Sequence, residues 1–296
     1  MKTCMNEWKN WKIQTIEKKD FPESLKTINK CPEKLFYRGK WNESLFEKVV
    51  AIVGSRQITR YGREVVDKIM PEIVSRKTTV ISGFMYGVDT ESHQKCLEYG
   101  GKTIAVLGGG LDFPCPADND KLYTEILQKG GLVISEYEPY FKATNWSFPQ
   151  RNRIVSGLAN IGVVVVEGGI KSGSLITAKL ALEQKRKLLA VPGPINSKTS
   201  AGTNFLIKSG GAKILTEAID IFEDKIEMPS QGELFKDYSD LSDLERVIID
   251  LVENEPMTCD ELCQMTKRNV TEISTTLSMM LMKDLLVEED GKFYIS

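Results

Sequence analysis

Apolar residues fall along the chain in two rhythms. Val49–Val53, Thr79–Ile81, Thr103–Leu107, Leu132–Ile134, Gly162–Val166 and Leu188–Val191 are short apolar runs of strand length. Between them, Tyr61–Ser75, Val88–Tyr99, Asn119–Gln128, Gln150–Ala159 and Ser174–Gln184 carry helical patterns, with apolar residues at helical spacing. Continuous apolar strands are buried on both faces, and their alternation with helices predicts an α/β fold: a parallel sheet with helices on both faces. Residues 1–48, polar with scattered aromatics, read as a lead-in packed on that sheet, with one extended piece at Lys34–Arg38. The main domain spans 49–225, and 226–240 is a polar linker. Leu241–Val252, Thr258–Met265 and Val270–Asp284 then read as three helices, and Leu286–Ile295 as a ribbon turning at Asp290-Gly291. Three helices and a hairpin over 241–296 predict a winged helix.

Almost every strand of the main domain ends in a small residue: Gly54, Ser82-Gly83, Gly108-Gly109-Gly110, Ser135, Gly168-Gly169 and Pro192-Gly193. These are carboxyl ends, where an open α/β sheet places its ligand crevice. After the first strand, Gly54 and Ser55 lead into a helix start whose free N–H groups and dipole favour an anion, and Arg56 adds a planar cation suited to phosphate. The same residues also fit a plain βα turn with a solvated arginine. Ser172, Gly173 and Ser174 open a second helix start of this kind. The loop from Glu138 to Arg153 carries Lys142, Arg151 and Arg153 among Tyr140, Phe141, Trp146 and Phe148. Cations interleaved with rings suit single-stranded nucleic acid, although Trp146 and Phe148 would serve equally well as core.

Charge changes the picture of the tail. Net charge is −2 overall, but residues 1–48 and 49–225 each carry +4, 226–240 carry −3, and 241–296 carry −7. An acidic winged helix is poorly matched to duplex DNA. Six cysteines show no CxxC pair, and with His93 the sole histidine an ordinary zinc site is hard to assemble. No metal or other cofactor is therefore expected. His93 lies four residues after Asp89 on a predicted helix, a spacing that fits a structural hydrogen bond better than a general base. GxGxxG, GxxxxGK[ST] and GxSxG motifs are all missing. No signal peptide opens the sequence and no apolar run is long enough to span a bilayer, so a cytoplasmic protein with reduced thiols and no membrane partner is expected.

VAIVGSRQITRYG, SGFMYGVDTESH, TIAVLGGGLDFPCPADNDKLY, GLVISEY, FPQRNRIVSGLA, VVVVEGGIKSGSLITAKLALEQKR, AVPGP and GTNFLIKSGGA follow one another in unbroken order. Together they closely resemble the DNA-processing protein A (DprA/Smf) family. The resemblance implies an extended Rossmann-like domain that binds single-stranded DNA without sequence preference and catalyses nothing. It further implies a homodimer that protects incoming strands and loads the RecA recombinase in natural transformation. Its phosphate pocket maps to Gly54, Ser55 and Arg56, to Arg151, Asn152 and Arg153, and to Ser172, Gly173 and Ser174, with Gly83 and Phe148 beside them. Where members often have a lysine near Ala117 or Asp120, this chain has only Lys121 close by, so the second cation of the pocket is Lys121 or Lys142. Two other readings fit the same fold. One is a nucleotide phosphoribohydrolase, whose PGGxGTxxE hallmark is replaced here by EGGIKSGSLI; the other is a sensor of a nucleotide-like ligand.

Overall fold

The structure, a computed structural model, describes residues 7–222, 241–283 and 285–295. The linker expected at 226–240 lies outside the described residues. The chain divides into two compact units, Met1–Ile226 and Glu227–Ser296.

The first unit is built on a nine-stranded sheet. Its strands are β1 (Gln14–Glu17), β2 (Lys34–Gly39), β3 (Val49–Val53), β4 (Thr79–Ser82), β5 (Thr103–Val106), β6 (Leu132–Ser135), β7 (Gly162–Val165), β8 (Leu188–Ala190) and β9 (Lys213–Ile214). Their spatial order is β1-β2-β6-β5-β4-β3-β7-β8-β9, parallel from β6 to β9 and antiparallel at β1 and β2. The six strands predicted for the main domain are all present, within a residue of their expected ends. Side chains alternate across β3 as the pleat requires: Val49, Ala51 and Val53 face one core, Val50 and Ile52 the other. The first core is covered by α1 (Glu23–Lys26), α5 (Ser147–Leu158) and α6 (Gly173–Glu183); the other face is covered by α2 (Arg60–Ser75), α3 (Val88–Glu98) and α4 (Asp120–Gln128). Helix α7 (Ala201–Lys208) follows β8.

Residues 7–48 extend this sheet by two strands. Phe21, Leu25 and Ile28 join the core beside α5, and Trp8 is buried on Tyr123 at a ring separation of 4.9 Å. Helix α5 begins three residues before its predicted start. Pro149 sits in its first turn, where a missing N–H costs nothing. Phe148 is thereby a helical residue rather than a loop residue.

Chain order runs from β3 outward through β4, β5 and β6, then jumps back to β7 on the other side of β3. The loops after β3 and β7 therefore leave the sheet in opposite directions and open a crevice between them.

The second unit packs α8 (Asp243–Asn254), α9 (Cys259–Thr266) and α10 (Val270–Met282) around Ile248, Val252, Leu262, Ile273, Leu277 and Met280. Strands β10 (Leu286–Glu289) and β11 (Lys292–Ile295) form the predicted hairpin. Asp290 and Gly291 turn it with φ of 52° and 76°, as a two-residue turn matched to strand twist requires.

Candidate nucleic-acid interface

A cavity of about 490 Å³ occupies the crevice at the carboxyl ends of β3, β4 and β7. Four segments wall it: Val53–Gln57 after β3, Gly83–Tyr86 after β4, the start of α5, and Ser172–Thr177 at the start of α6. On α5, Pro149 lines the cavity together with Phe148, Arg151, Asn152 and Val155, and these last four stand at spacings i, i+3, i+4 and i+7 that put them on one face.

Arg56 is exposed at the rim, its guanidinium 5.4 Å above the Phe148 ring and in no ion pair among the described residues. Arg151 forms the floor. It is 3% exposed, and its Nη1 donates to the carbonyl oxygens of Gly83 and Val106. Burial pulls its guanidinium down to about 10, opposed by the charge of the neighbouring Asp89. Burial in turn pushes the Asp89 carboxyl up, opposed by Arg151 and by the N–H that Met85 donates at 3.2 Å. Glycine is needed where this pair meets the backbone. A Cβ on Gly83 would lie 2.3 Å from Asp89 Oδ2, and one on Gly54 would lie 2.5 Å from Val88 Cγ2.

The two helix starts differ. At α6, Ser172 accepts from Ser174 N at 3.3 Å, and a Cβ on Gly173 would meet nothing within 4 Å, so that end opens into the cavity. At α2, Thr59 caps the helix, and the buried Glu167 carboxylate accepts from Thr59 N at 3.0 Å and from Thr59 Oγ1. The dipole end of α2 is thus already occupied by an anion. The anion site expected after the first strand is reduced to the Gly54–Arg56 turn and the Arg56 side chain. Glu167 was missed in the sequence because nothing local connects it to Thr59.

Ten predicted site residues line this cavity: Gly54, Ser55, Arg56, Gly83, Phe148, Arg151, Asn152, Ser172, Gly173 and Ser174. Three do not. Arg153 lies on the far side of α5, pairing Glu136 at 2.9 and 2.5 Å and donating to Lys30 O at 2.9 Å; it clamps the lead-in to the domain. Lys121 lies exposed on α4, and Lys142 stands 5.7 Å from the Phe113 ring, so neither lines this cavity. The cavity also takes Tyr86, Asn145 and Thr177, which the sequence reading did not select. Tyr86 is 46% exposed and donates to Asp118 Oδ2 at 2.7 Å.

His93 does not bond Asp89. Its Nδ1 lies 2.6 Å from Thr103 Oγ1, which itself donates to Val80 O, so the imidazole donates from Nδ1. Burial and the Arg151 charge hold it down to about 3, neutral at physiological pH. It packs beside Phe84 beneath the cavity and does not line it. Among the described residues no group of three or more His, Cys, Asp or Glu stands close enough to hold a metal ion, and no helix is long and apolar enough to cross a membrane.

An open α/β sheet with a glycine-lined, cation-rimmed cavity at its switch point defines a class of anion-binding domains. Residues 12–225 match the family of DNA recombination-mediator protein A, and residues 236–292 match the DprA winged helix domain. The chain is 40% identical to the DNA processing protein DprA of Bacillus subtilis, over 71% of this chain and 69% of that one. The X-ray structure of DNA processing protein A from Streptococcus pneumoniae superposes with a TM-score of 0.66 at 39% identity, covering 72% of this chain and 76% of that one. DNA processing protein A from Helicobacter pylori, characterised for its single-stranded DNA binding mode, superposes with a TM-score of 0.64 at 30% identity, covering 72% and 94%. The chain belongs to the DprA/Smf family.

Proposed function

We propose that the cavity binds single-stranded DNA without sequence preference. The observation that carries this reading is convergence: an exposed arginine, an open helix start and an aromatic ring from three separate segments face one cavity. Arg56 and the α6 amides suit a phosphate, and Phe148 offers a ring to a base. The relative from Helicobacter pylori supports the ligand class. The chain acts as a recombination mediator, as a homodimer that protects incoming strands and hands them to RecA during transformation; family membership supports this wider role.

The site is read as non-catalytic. Asp89 is the carboxylate lining the cavity, and it lies buried against Arg151, unable to serve as an exposed acid or base. A gel shift with short oligo-dT, set beside thermal shifts with a panel of nucleotides, tests the reading. Retarded oligo-dT with no nucleotide-induced shift is expected; a nucleotide-stabilised protein that ignores oligo-dT would point to a small-molecule sensor. Base release from nucleoside monophosphates would overturn the non-catalytic assignment.

A further inference from the structure

Lys142, which the first cavity does not use, stands 5.7 Å from the ring of Phe113, a residue that lines a second one. A cavity of about 670 Å³ opens between the chain before β1 and the loops after β5 and β6, lined by Lys9, Trp11, Lys12, Phe113 and Tyr140. Tyr140 is 74% exposed and Phe113 42%, their rings 6.3 Å apart and edge-on, with Lys142 Nζ beside Phe113. None of the three lysines is in an ion pair among the described residues. The nearby carboxylates are already spent. Asp112 is held by the buried Arg38 at 2.7 Å, and Glu138 by Lys34 at 2.9 Å. The surface is therefore cationic around two solvent-facing rings. Two neighbouring exposed rings flanked by lysines suit a polyanion that carries flat apolar groups.

The two cavities are joined by one loop. Tyr140 lies at its middle, and eight residues further on Phe148 lines the first cavity. Between them Tyr137 and Phe141 stack at 4.6 Å, and Trp146, 56% exposed, meets both edge-on. The loop lies flat on the glycine run after β5: Gly110 N donates to Phe141 O at 2.8 Å, and a Cβ on Gly108 would lie 2.6 Å from Phe148 Cδ1. Aromatic residues thus recur along the chain from Tyr140 at one cavity to Phe148 at the other.

We infer that the Lys9–Lys12–Phe113–Tyr140 cavity is a second subsite for the same single strand, in which bases stack on Phe113 and Tyr140 while Lys9, Lys12 and Lys142 meet the backbone. This rests on the reading of the first cavity as a single-strand site. The test uses the full chain and an oligo-dT ladder of about 4 to 16 nucleotides, the span of comparable stacking platforms. Wild-type affinity rises in two steps as the strand reaches the second cavity. F113A/Y140A loses the second step, about five- to hundredfold on the longest strand, and leaves the shortest unchanged. Y140F, which keeps the ring, keeps the step. K9Q/K12Q/K142Q lowers the salt slope on the long strand alone, by about 0.7 for each lysine that meets a phosphate. Equal losses at every length, or no loss at any, overturn the second subsite and leave the first standing. A wild-type chain that binds no strand removes both.

Discussion

The two units of this chain both carry a fold associated with DNA, and they dispose their helix ends and cations in opposite ways. In the α/β unit the α6 start opens into a cavity and Arg56 faces it without an ion pair. In the winged-helix unit each helix start is closed by its own side chains. Ser242 with Glu245 and Thr258 with Glu261 form capping boxes, and Asn269 accepts from Glu272 N at 2.9 Å. Two of its cations are engaged too, Lys283 with Glu245 at 2.8 Å and Arg268 with Glu272 at 3.1 Å. At the wing, Glu288, Glu289 and Asp290 are exposed where a duplex backbone would lie. A DNA-reading shape is not a DNA-reading surface. Neutralised phosphates supply nearly all non-specific affinity, and the net −7 over 241–296 works against it.

The largest expected effect tests whether Arg151 is structural or a contact to ligand. Arg151→Ala leaves Asp89 buried without its counter-charge and two carbonyls without a donor. Leaving two buried acceptors without their donor costs about 1–3 kcal/mol each, so urea unfolding of the α/β unit should shift to lower denaturant. An unshifted midpoint with lost strand binding would make Arg151 a direct contact instead.

Acid should separate the units next. His93 has its pKa lowered from 6.5 to about 3 in the folded chain. The unfolded chain binds that proton first, so the stability from a neutral His93 is complete above about 6.5 and is lost as pH falls from there through about 3. Glu245 is depressed from 4.5 to about 2, chiefly by the Lys283 hydrogen bond, so its contribution is complete above about 4.5 and lost on the way to 2. All four tryptophans lie in residues 1–225. Tryptophan fluorescence should therefore register weakening from about pH 6.5 downward, while α8–α10 helicity holds until below about 4.5. Coincident transitions would mean the two units do not titrate separately, and Glu245→Gln should flatten the lower one.

Arg56→Ala isolates the rim of the first cavity. The side chain is exposed, so stability should not change, whereas a lost charge-assisted contact to phosphate should weaken strand binding by about 1.5–3 kcal/mol for all sequences alike. A loss confined to one base composition would recast Arg56 as a base reader. Because Arg153 and Lys121 do not line the cavity, the shortest strands should show a salt slope near −0.7 for each remaining phosphate contact.

The same contrasts show what the sequence could reveal. Strands of the main sheet were legible because runs such as Val49–Val53 are apolar on both faces. Strand β1 was not, since Gln14–Glu17 is largely exposed and polar, nor was the two-residue β9. Helix α7, eight residues between glycine-containing loops, was not assigned. The cavity was legible from strand ends and family motifs, yet Arg153 was misplaced although the spacing was in view. Residues two apart on a helix point about 200° apart, so Arg151 and Arg153 could not both face one pocket. Glu167 on the α2 start and Thr103 on His93 are long-range pairings that no local pattern carries.

The smallest expected effect is the sharpest test of the comparison. If strand affinity belongs to the α/β unit, a chain ending at Lys225 should bind oligo-dT within tenfold of the full chain. That unit has its own sheet and three cores, all built from residues before 226. The winged-helix unit carries a net −7 over 241–296 and would repel rather than recruit a strand, so its removal should if anything strengthen binding slightly at low salt. It also exposes apolar side chains. Val270, Met279 and Met282 on α10 are 56%, 52% and 87% exposed, a surface that fits protein contact better than phosphate. The expected phenotype of truncation is accordingly a change in self-association, read by light scattering, at nearly constant strand affinity. A loss of more than tenfold in affinity, with the truncated chain still folded, would move part of the DNA site onto the acidic unit and break the comparison.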